Sequence, residues 1–334
     1  MADEPAPPRD PVLRPCHRRP CCTRDRTGGR VGRLVPSLST AVIGLGNIGG
    51  GVARNLARAG FHVNAADLDP AKVDRVVDVG GHVADSAQRA VVDADVVFTS
   101  LPGPKHLTAI AEQILPSMKS DAIWVELSTN DLKTARQLGE QCASHNVRFV
   151  DAPVSGGPEG AEAGTLSIFV GGNDDDVAAV MPLLETVGGK VDHLGPGGTG
   201  VVAKIAQVTL CYTQTVTLIE SLILGVKGGI EPAKMLDLIQ NSAGSSYCAT
   251  AYGPEIIAGT YDASFPISHA AKDMRLAMDL ARTVDADLPF MAEVAELYQR
   301  TETEYGPGAA HLLAAQMIER TNHTLLHEKD ATHD

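Results

Sequence analysis

Two polar side chains stand out at the start of a long apolar segment. Lys204 and Gln207 belong to residues 201–224, a run without proline or glycine, and no charged residue lies between Lys204 and Glu220. Residues three apart in a helix share a face, so an ammonium and an amide would point in one direction. A desolvated lysine has a lowered pKa and can exchange a proton with a substrate hydroxyl. The alternative is a lysine at a frayed helix start with its ammonium in water.

A glycine-rich turn provides a second candidate site, this time for a dinucleotide. Residues 40–45 predict a buried strand and the segment after the turn predicts a helix, with G-x-G-x-x-G between them. The first glycine permits a tight turn, the second lets the main chain approach a pyrophosphate, and the third permits close helix packing. This context favours a cofactor site over a mere packing turn. The predicted cofactor-binding residues are Gly44, Leu45, Gly46, Asn47, Ile48 and Gly49.

An acidic residue follows the next predicted strand. Asp67 lies 18 residues after Gly49, at the end of the segment FHVNAAD. A carboxylate here would accept hydrogen bonds from the adenosine ribose hydroxyls and repel a 2′-phosphate, which favours NAD over NADP. The alternative is that Asp67 and Asp69 only form a turn before Pro70, which opens the next predicted helix.

A serine and two glycines follow a later strand. Ser155, Gly156 and Gly157 end the segment DAPVSGG and present a hydroxyl beside main-chain N–H groups that no side chain obstructs. Consecutive amides of this kind form a site for a carboxylate. A plain Gly-Gly loop is the alternative interpretation.

The composition disfavours several classes of function. A net charge of −13 over 334 residues argues against a general nucleic-acid binder, whose surface would be basic. The six cysteines show neither a disulfide framework nor paired zinc spacing, which indicates a reducing cytoplasm. The uncharged apolar run is shorter than the ~20 residues of a membrane span. No metal site is predicted, because the acidic run at 174–176 follows Asn173 and is typical of a capped helix start.

Two predicted halves of the chain position these residues. Up to residue 195, strands alternate with amphipathic helices, which predicts βαβ units and a mostly parallel sheet of the Rossmann type. After Gly200 strand signals almost vanish, so an all-helical C-terminal domain is predicted, joined by the long helix. The predicted helices there are 201–226, 231–240, 246–258, 267–283, 288–303 and 308–320. The fold class is therefore α/β, with a disordered extension at 1–38, a Rossmann domain at 39–199, a helical substrate and oligomerisation domain at 200–320, and a polar tail at 321–334.

Short motifs are spread over residues 40–320. They are GLGNIG at 44–49, SLP at 100–102, LST at 127–129, DAPVSGG at 151–157, GTGVVAK at 198–204 and KDMRLA at 272–277. In this order and spacing they resemble the β-hydroxyacid dehydrogenase family, whose members include 3-hydroxyisobutyrate dehydrogenase and tartronate semialdehyde reductase.

The resemblance implies a role for each matching residue. Lys204 stands where the family has its general acid/base, and residues 155–157 stand where it holds the substrate carboxylate. Lys272, followed by Asp273, is implied to close the site over cofactor and substrate from the helical domain. The residues implied to line the cofactor or border nicotinamide and substrate are Leu101, Pro102, Ser128 and Thr129.

One departure from the family affects the substrate. The family commonly has asparagine three residues after the catalytic lysine, whereas this chain has Gln207. The glutamine side chain is one methylene longer than that of asparagine. The substrate is therefore expected to bind in a different position from that in the family, and its identity can differ as well.

The expected function is hydride transfer between NAD, or less favourably NADP, and a small 3-hydroxy acid of the 3-hydroxyisobutyrate type or its semialdehyde. His106 and His269 lie outside the motifs and are expected in loops or on the surface. Two alternatives stay open: a non-catalytic dinucleotide-binding scaffold, and an imine reductase on the same framework, which Lys204 disfavours. The resemblance implies a homodimer or homotetramer. The net charge and the short apolar run predict no nucleic-acid or membrane partner.

Overall fold

Nine strands form a single sheet in the computed structural model of the chain, which describes residues 38–327. The extension predicted at 1–38 therefore lies outside the described residues, apart from Leu38. The strands are β1 (Ser39–Ile43), β2 (His62–Ala66), β3 (His82–Val83), β4 (Val96–Thr99), β5 (Ile123–Glu126), β6 (Arg148–Asp151), β7 (Val154–Ser155), β8 (Leu166–Gly171) and β9 (Gly188–Gly195).

The sheet is mostly parallel, as predicted. Its order is β3-β2-β1-β4-β5-β6-β8-β7, with β9 also paired to β8. Pairing is parallel from β3 through β6 and between β8 and β9, whereas β8 runs antiparallel to β6 and β7. The central strands β4 and β5 are buried along their whole length, which explains their continuous apolar runs.

The parallel arrangement brings the sequence motifs to one edge. The carboxyl ends of parallel strands lie on the same side of a sheet, where α/β proteins bind their ligands. Gly44 follows β1, Asp67 follows β2, Ser100 follows β4, Leu127 follows β5 and Ala152 follows β6. Motifs that are up to about a hundred residues apart in the sequence therefore begin at the same edge.

Seven helices connect these strands. They are α1 (Gly49–Arg58), α2 (Pro70–Val77), α3 (Ala87–Val91), α4 (Pro104–Ile114), α5 (Leu132–Ser144), α6 (Gly157–Ala163) and α7 (Asp174–Val187). Asp69 and Asp131 accept hydrogen bonds from first-turn amides of α2 and α5. At α7 the acidic first turn is present, but Asn173 donates to Asp176 at 3.2 Å and makes no capping bond with a main-chain amide.

The predicted long helix is α8 (Thr199–Lys227), which spans 29 residues. It is long and apolar enough to cross a membrane, but more than half of its most apolar window is buried inside the protein, as in the core helix of a soluble protein. Near its N-terminus Gly200 lies against Phe169 of β8, and the helix also packs against most of the later helices. The helix therefore belongs to both halves of the molecule.

The C-terminal domain is all-helical, as predicted. Its further helices are α9 (Pro232–Gln240), α10 (Tyr247–Ala251), α11 (Gly253–Ala258), α12 (Ile267–Thr283), α13 (Pro289–Tyr305) and α14 (Ala314–Asn322). The prediction of a single helix at 246–258 was wrong, because two helices occupy this range. Pro254 has no N–H to donate to the preceding turn, so α10 ends and α11 begins there.

The end of the chain also differs from its prediction as a polar tail from residue 321. Leu326 is fully buried in the helical core, and its amide donates to Glu319 Oε1 at 2.7 Å. The hydrogen bond ties the segment after α14 back to α14, while the Leu326 side chain packs in the core of the helical domain. Residues 328–334 of the predicted tail lie outside the described residues.

Candidate active site

The three glycines of the G-x-G-x-x-G turn have different surroundings: two are closely packed and one is open to solvent. Gly44 has φ of +85°, and a Cβ on it would lie 2.3 Å from Ser100 O. A Cβ on Gly49 would lie 1.9 Å from Gly44 O, which no packing adjustment accommodates. Gly46 differs, since it is exposed and a Cβ there would meet no atom within 4 Å. The protein's own packing does not require glycine at position 46, so the surface here is open, as the predicted approach of a pyrophosphate needs.

A groove of about 350 Å³ opens beside this turn. Its walls come from the glycine turn, the basic side chains of α1 and α2, and the start of α6. The lining residues are Leu45, Gly46, Asn47, Arg54, Lys72, Arg75, Pro158, Glu159 and Glu162. The groove contains the turn that leads into the N-terminus of α1 and three cationic side chains, of which Arg54 pairs with Glu162 and Lys72 with Asp67. The helix N-terminus and these cations suit a ligand with phosphate groups, so the residues present fit a dinucleotide.

Asp67 contacts two of the residues that line this groove, Leu45 and Lys72, and is tied to the glycine turn. Its Oδ2 accepts the Leu45 amide at 2.6 Å, and its Oδ1 accepts the Asp69 amide at 2.9 Å. Lys72 Nζ lies 3.7 Å from the same carboxylate. Asp67 therefore forms a turn with Asp69, which was the alternative to a ribose contact, and it also lies next to the groove. The ribose contact stays a prediction.

The SLP and LST motifs are joined to each other. The Leu101 amide donates to Ser128 Oγ at 2.8 Å, and the Ser128 side chain is buried. From the helical domain, Lys272 Nζ lies 3.4 Å from both Pro102 O and Thr129 O. One lysine therefore crosses from α12 to both loops at the carboxyl ends of β4 and β5.

Glu126 supports these loops, and its role was not recognised from the sequence. Its Oε1 accepts the Ser128 amide at 2.7 Å and Asn130 Nδ2 at 3.2 Å, and its other oxygen is hydrogen-bonded to Thr99 Oγ1. Trp124 Nε1 donates to the same hydroxyl at 2.8 Å. Burial raises the pKa of Glu126 to about 7 despite these hydrogen bonds, which favour the charged form. The only signal in the sequence was an acidic residue ending an otherwise apolar strand.

Lys204 lies in the second turn of α8 and is 9% exposed. Burial lowers its pKa, the nearby Asp273 opposes this, and the charge of Lys272 lowers it further. Asp273 is itself buried, 3.3 Å from Lys272 Nζ, and accepts the Tyr212 hydroxyl at 3.2 Å. The frayed-end alternative for Lys204 is therefore wrong: the side chain is buried among the charged groups of α12.

A second residue missed from the sequence anchors α8. Asp151, which is fully buried at the end of β6, accepts the Gly198 amide at 2.6 Å and the Val201 amide at 2.9 Å. Burial raises its pKa to about 6, against the effect of these hydrogen bonds. The approach is possible because Gly200 has no side chain: a Cβ there would lie 2.2 Å from Phe169 O.

Gln207 and the two glycines of the predicted carboxylate loop are exposed to solvent. Gly156 and Gly157 are exposed with φ of +127° and +64°, and Gly157 begins α6. Gln207 is exposed on α8, and within residues 38–327 its amide makes no hydrogen bond. His106 and His269 are exposed on α4 and α12, in agreement with their predicted surface roles. Among the described residues no group of three or more His, Cys, Asp or Glu side chains is arranged to hold a metal ion.

Both halves of the chain match known families. Residues 39–195 match the NAD binding domain of 6-phosphogluconate dehydrogenase, and residues 198–318 match the family described as NAD-binding of NADP-dependent 3-hydroxyisobutyrate dehydrogenase. The fold and the site thus define an NAD(P)-binding oxidoreductase with a Rossmann-type domain and a helical domain.

Individual relatives narrow this class. The chain is 35% identical over 268 residues to the 3-hydroxyisobutyrate dehydrogenase of Pseudomonas aeruginosa, covering 77% of this chain and 90% of that one. It is 32% identical over 269 residues to the NAD-dependent L-serine dehydrogenase of the same organism, covering 78% and 90%. The solved 3-hydroxyisobutyrate dehydrogenase of Mycobacterium tuberculosis with L-serine has a TM-score of 0.78 at 27% identity, over 84% of this chain and 99% of that one.

The chain belongs to the β-hydroxyacid dehydrogenase family, as the resemblance predicted, and is an NAD(P)-dependent dehydrogenase acting on CH–OH groups. Solved imine reductases share its fold at 20% identity or less, a likeness that shows the fold alone. The roles of the individual site residues stay predictions.

The buried carboxyl of Glu126 generates a prediction about stability. Its folded pKa of about 7 lies above the usual value of 4.5, so its contribution to the free energy of unfolding is present below about pH 4.5 and is lost as the pH rises through 7. Glu126→Gln mimics the protonated carboxyl. We expect the variant to gain stability relative to the parent between pH 5 and pH 8, by up to about 3 kcal/mol.

Urea denaturation at several pH values measures this difference. The exposed Glu112→Gln change on α4 is the control, and its stability should follow that of the parent protein. Parallel stability curves for Glu126→Gln and the parent would show that the Glu126 carboxyl does not bind its proton more tightly in the folded state.

Proposed function

We propose that the protein oxidises small 3-hydroxy acids, or reduces their semialdehydes, with NAD and with Lys204 as the general acid/base. The observation that carries this proposal is the burial of Lys204 in the second turn of α8, beside Asp273 and Lys272. Lys272 in turn reaches Thr129 and Pro102 at the carboxyl edge of the sheet. Lys204, whose pKa is lowered, is therefore connected through Lys272 to the carboxyl edge of the sheet, where we propose that the cofactor binds.

The proposed chemistry separates hydride from proton. When bound, the nicotinamide cofactor accepts the hydride in oxidation and donates it in reduction. The neutral amine of Lys204 takes the hydroxyl proton in oxidation, and its ammonium returns that proton in reduction. Burial and the charge of Lys272 both favour the neutral amine, whereas Asp273 stabilises the ammonium, so both forms are accessible.

The substrate carboxylate has a natural place at the exposed loop of Ser155, Gly156 and Gly157. Gly156 and Gly157 have no side chains of their own, so their main-chain amides are open to an anion, with the Glu159 carboxylate beside Gly157. Asp151, four residues before Ser155, holds the N-terminus of α8, so the loop and Lys204 are attached to the same buried carboxylate. This connection supports a fixed distance between the anchored carboxylate and the proton-transfer group.

The relatives support a specific substrate class. 3-Hydroxyisobutyrate and L-serine both carry a primary alcohol on the carbon next to the one that bears the carboxylate, and they differ in the substituent on that middle carbon. We propose the same HOCH₂–CHR–COO⁻ framework for this enzyme. The exposed amide of Gln207, three residues from Lys204, is the proposed contact to substrate, where the chain departs from the family.

We propose NAD as the preferred cofactor because Asp67 presents its carboxylate at the groove beside the glycine turn. Its hydrogen bond from Leu45 holds it there, and a carboxylate repels a 2′-phosphate. Lys72 lies 3.7 Å from this carboxylate and neutralises part of its charge. The expected result is a preference for NAD with residual use of NADP.

We also propose that the protein works in a reducing compartment, the cytoplasm. Among the described residues, Cys142, Cys211 and Cys248 are free thiols. Two of them lie side by side without a covalent bond, which a reducing environment maintains.

Lys204→Ala should lower kcat by about 10²- to 10⁴-fold, because the proton acceptor is lost. NADH binding, measured by fluorescence titration, should be retained. Lys227→Ala is the matched control, since this lysine lies at the exposed end of the same helix and donates a hydrogen bond to Asn322 O. Near-normal turnover of Lys204→Ala would remove Lys204 from the mechanism. Tight NADH binding by the parent protein, with no turnover of any hydroxy acid in a panel, would favour the scaffold alternative.

Asp67→Asn should shift the ratio of kcat/KM with NAD to kcat/KM with NADP toward NADP by about tenfold, equivalent to about 1.4 kcal/mol. The substitution removes the charge but keeps an oxygen that can accept the Leu45 amide. Asp74→Asn, on the exposed face of α2, should leave the ratio unchanged. An unaltered ratio in Asp67→Asn would refute the ribose contact.

A homo-oligomer is also proposed, because large apolar side chains are exposed on the helical domain. Leu224 on α8 is 76% exposed, and Leu238 and Phe290 on neighbouring helices are about half exposed. Light scattering should give a mass of two or four chains, and Leu224→Glu should lower it. Leu194→Glu, an exposed leucine on β9, should not. A monomer at micromolar concentration contradicts the proposal.

A further inference from the structure

Two cysteines meet on the helical side of the site. Cys211 lies on α8, and Cys248 lies in the first turn of α10. Their Sγ atoms are 3.6 Å apart, and Cys248 Sγ is also 3.2 Å from Cys211 O. A disulfide requires about 2.05 Å between the sulfurs, so side-chain rotation and a small helix movement would close the remaining gap.

The pair lies close to the proposed catalytic residue. Cys211 follows Lys204 by seven residues and Gln207 by four, so the three side chains share one face of α8. Cys211 is one of the groups that act electrostatically on Lys204. It is partly exposed, whereas Cys248 is fully buried. Solvent therefore reaches the pair from the Cys211 side.

The third described cysteine, Cys142, gives the pKa direction of a buried thiol that has no cysteine beside it. Cys142 lies alone in the core of the first domain, and burial raises its pKa to about 12. In the pair, the hydrogen bond from Cys211 lowers the pKa of Cys248 to about 7, although burial opposes this. The same hydrogen bond, followed by burial, raises the pKa of Cys211. The pair shares one proton and can carry one negative charge near neutral pH, whereas Cys142 stays a neutral thiol.

We propose that Cys211 and Cys248 are an oxidative modification site, which hydroperoxides convert to an intramolecular disulfide that reversibly lowers dehydrogenase turnover.

The chemistry uses both thiols and one hydroperoxide. The proton that Cys211 shares with Cys248 first transfers to Cys248, which leaves the thiolate on Cys211, the solvent-accessible sulfur. The Cys211 thiolate attacks the peroxide, the O–O bond breaks, a sulfenic acid forms on Cys211, and the leaving alkoxide or hydroxide takes a proton from water. The Cys248 sulfur then attacks the Cys211 sulfur, the S–O bond breaks, and water leaves once its proton is supplied by the Cys248 thiol. Two thiols lose two electrons and two protons in total, and the hydroperoxide gains them. A small-molecule dithiol reverses the change.

The disulfide acts on activity through α8. It ties a short helix, α10, to the helix that carries Lys204 and Gln207. Displacements of about 1 Å in a reacting geometry cost up to about 10²-fold in rate, so a shift of this helix face lowers turnover. This part of the proposal rests on the proposed function, whereas formation of the disulfide does not.

The disulfide is tested by peptide mapping of the full chain after treatment with hydrogen peroxide. Trypsin releases residues 205–227 with Cys211 and residues 235–272 with Cys248, because each segment follows a lysine and contains no lysine or arginine before its last residue. We expect these two peptides to be linked, with a mass about 2 Da below their sum, and to separate after dithiothreitol. In Cys248→Ala, dimedone should label Cys211. Unlinked peptides in the peroxide-treated parent protein would overturn the proposal. This test uses the parent chain, so it does not depend on whether a variant folds.

Turnover is measured on the same samples. Peroxide should lower kcat by about fivefold or more in the parent, dithiothreitol should restore it, and Cys211→Ala should be insensitive. Cys142→Ala should respond like the parent. Linked peptides with undiminished turnover would overturn the effect on activity. A protein without turnover in any form would count against the proposed function, while the linked peptides would still test the modification site.

Discussion

The buried carboxylate of Asp151 holds the two halves of the molecule in one arrangement. It ends β6 and accepts the amides of Gly198 and Val201, the donors that a helix leaves unpaired at its N-terminus. A negative charge there also interacts favourably with the dipole of α8. The loop after β6 and the helix that carries Lys204 are thus attached to one group, and removing its partners would leave a buried charge unpaired.

Two further polar contacts hold the same region. Glu126 ties β4 to the loop after β5, and Lys272 reaches both loops from α12. All three groups are ionisable, and Glu126 and Asp151 are buried where ionisation is costly, which raises their pKa values. The protein therefore gives up stability near neutral pH at the edge where its loops must keep a defined geometry, a common property of functional sites.

Much of the fold could be predicted from the sequence, because long segments have strong patterns. The long α8, the parallel pairing of the first strands and the glycine turn all follow from apolar runs, periodicity and glycine spacing. Elements of two to seven residues, such as β3, α3 and α6, contain too few residues for a period to be visible. Leu326 was missed for a related reason, since a single buried leucine in a polar segment has no pattern to reveal it.

By itself the sequence determined the family, the cofactor class and the candidate residues, because the motifs are local and their chemistry depends on residue type and spacing. The tertiary structure decided which polar residues act together. Asp151 and Val201 are fifty residues apart, and Cys211 and Cys248 thirty-seven, so only the folded chain brings them into contact. It also decided the burial of Lys204. Desolvation depends on everything packed around a side chain, and no stretch of sequence contains that information.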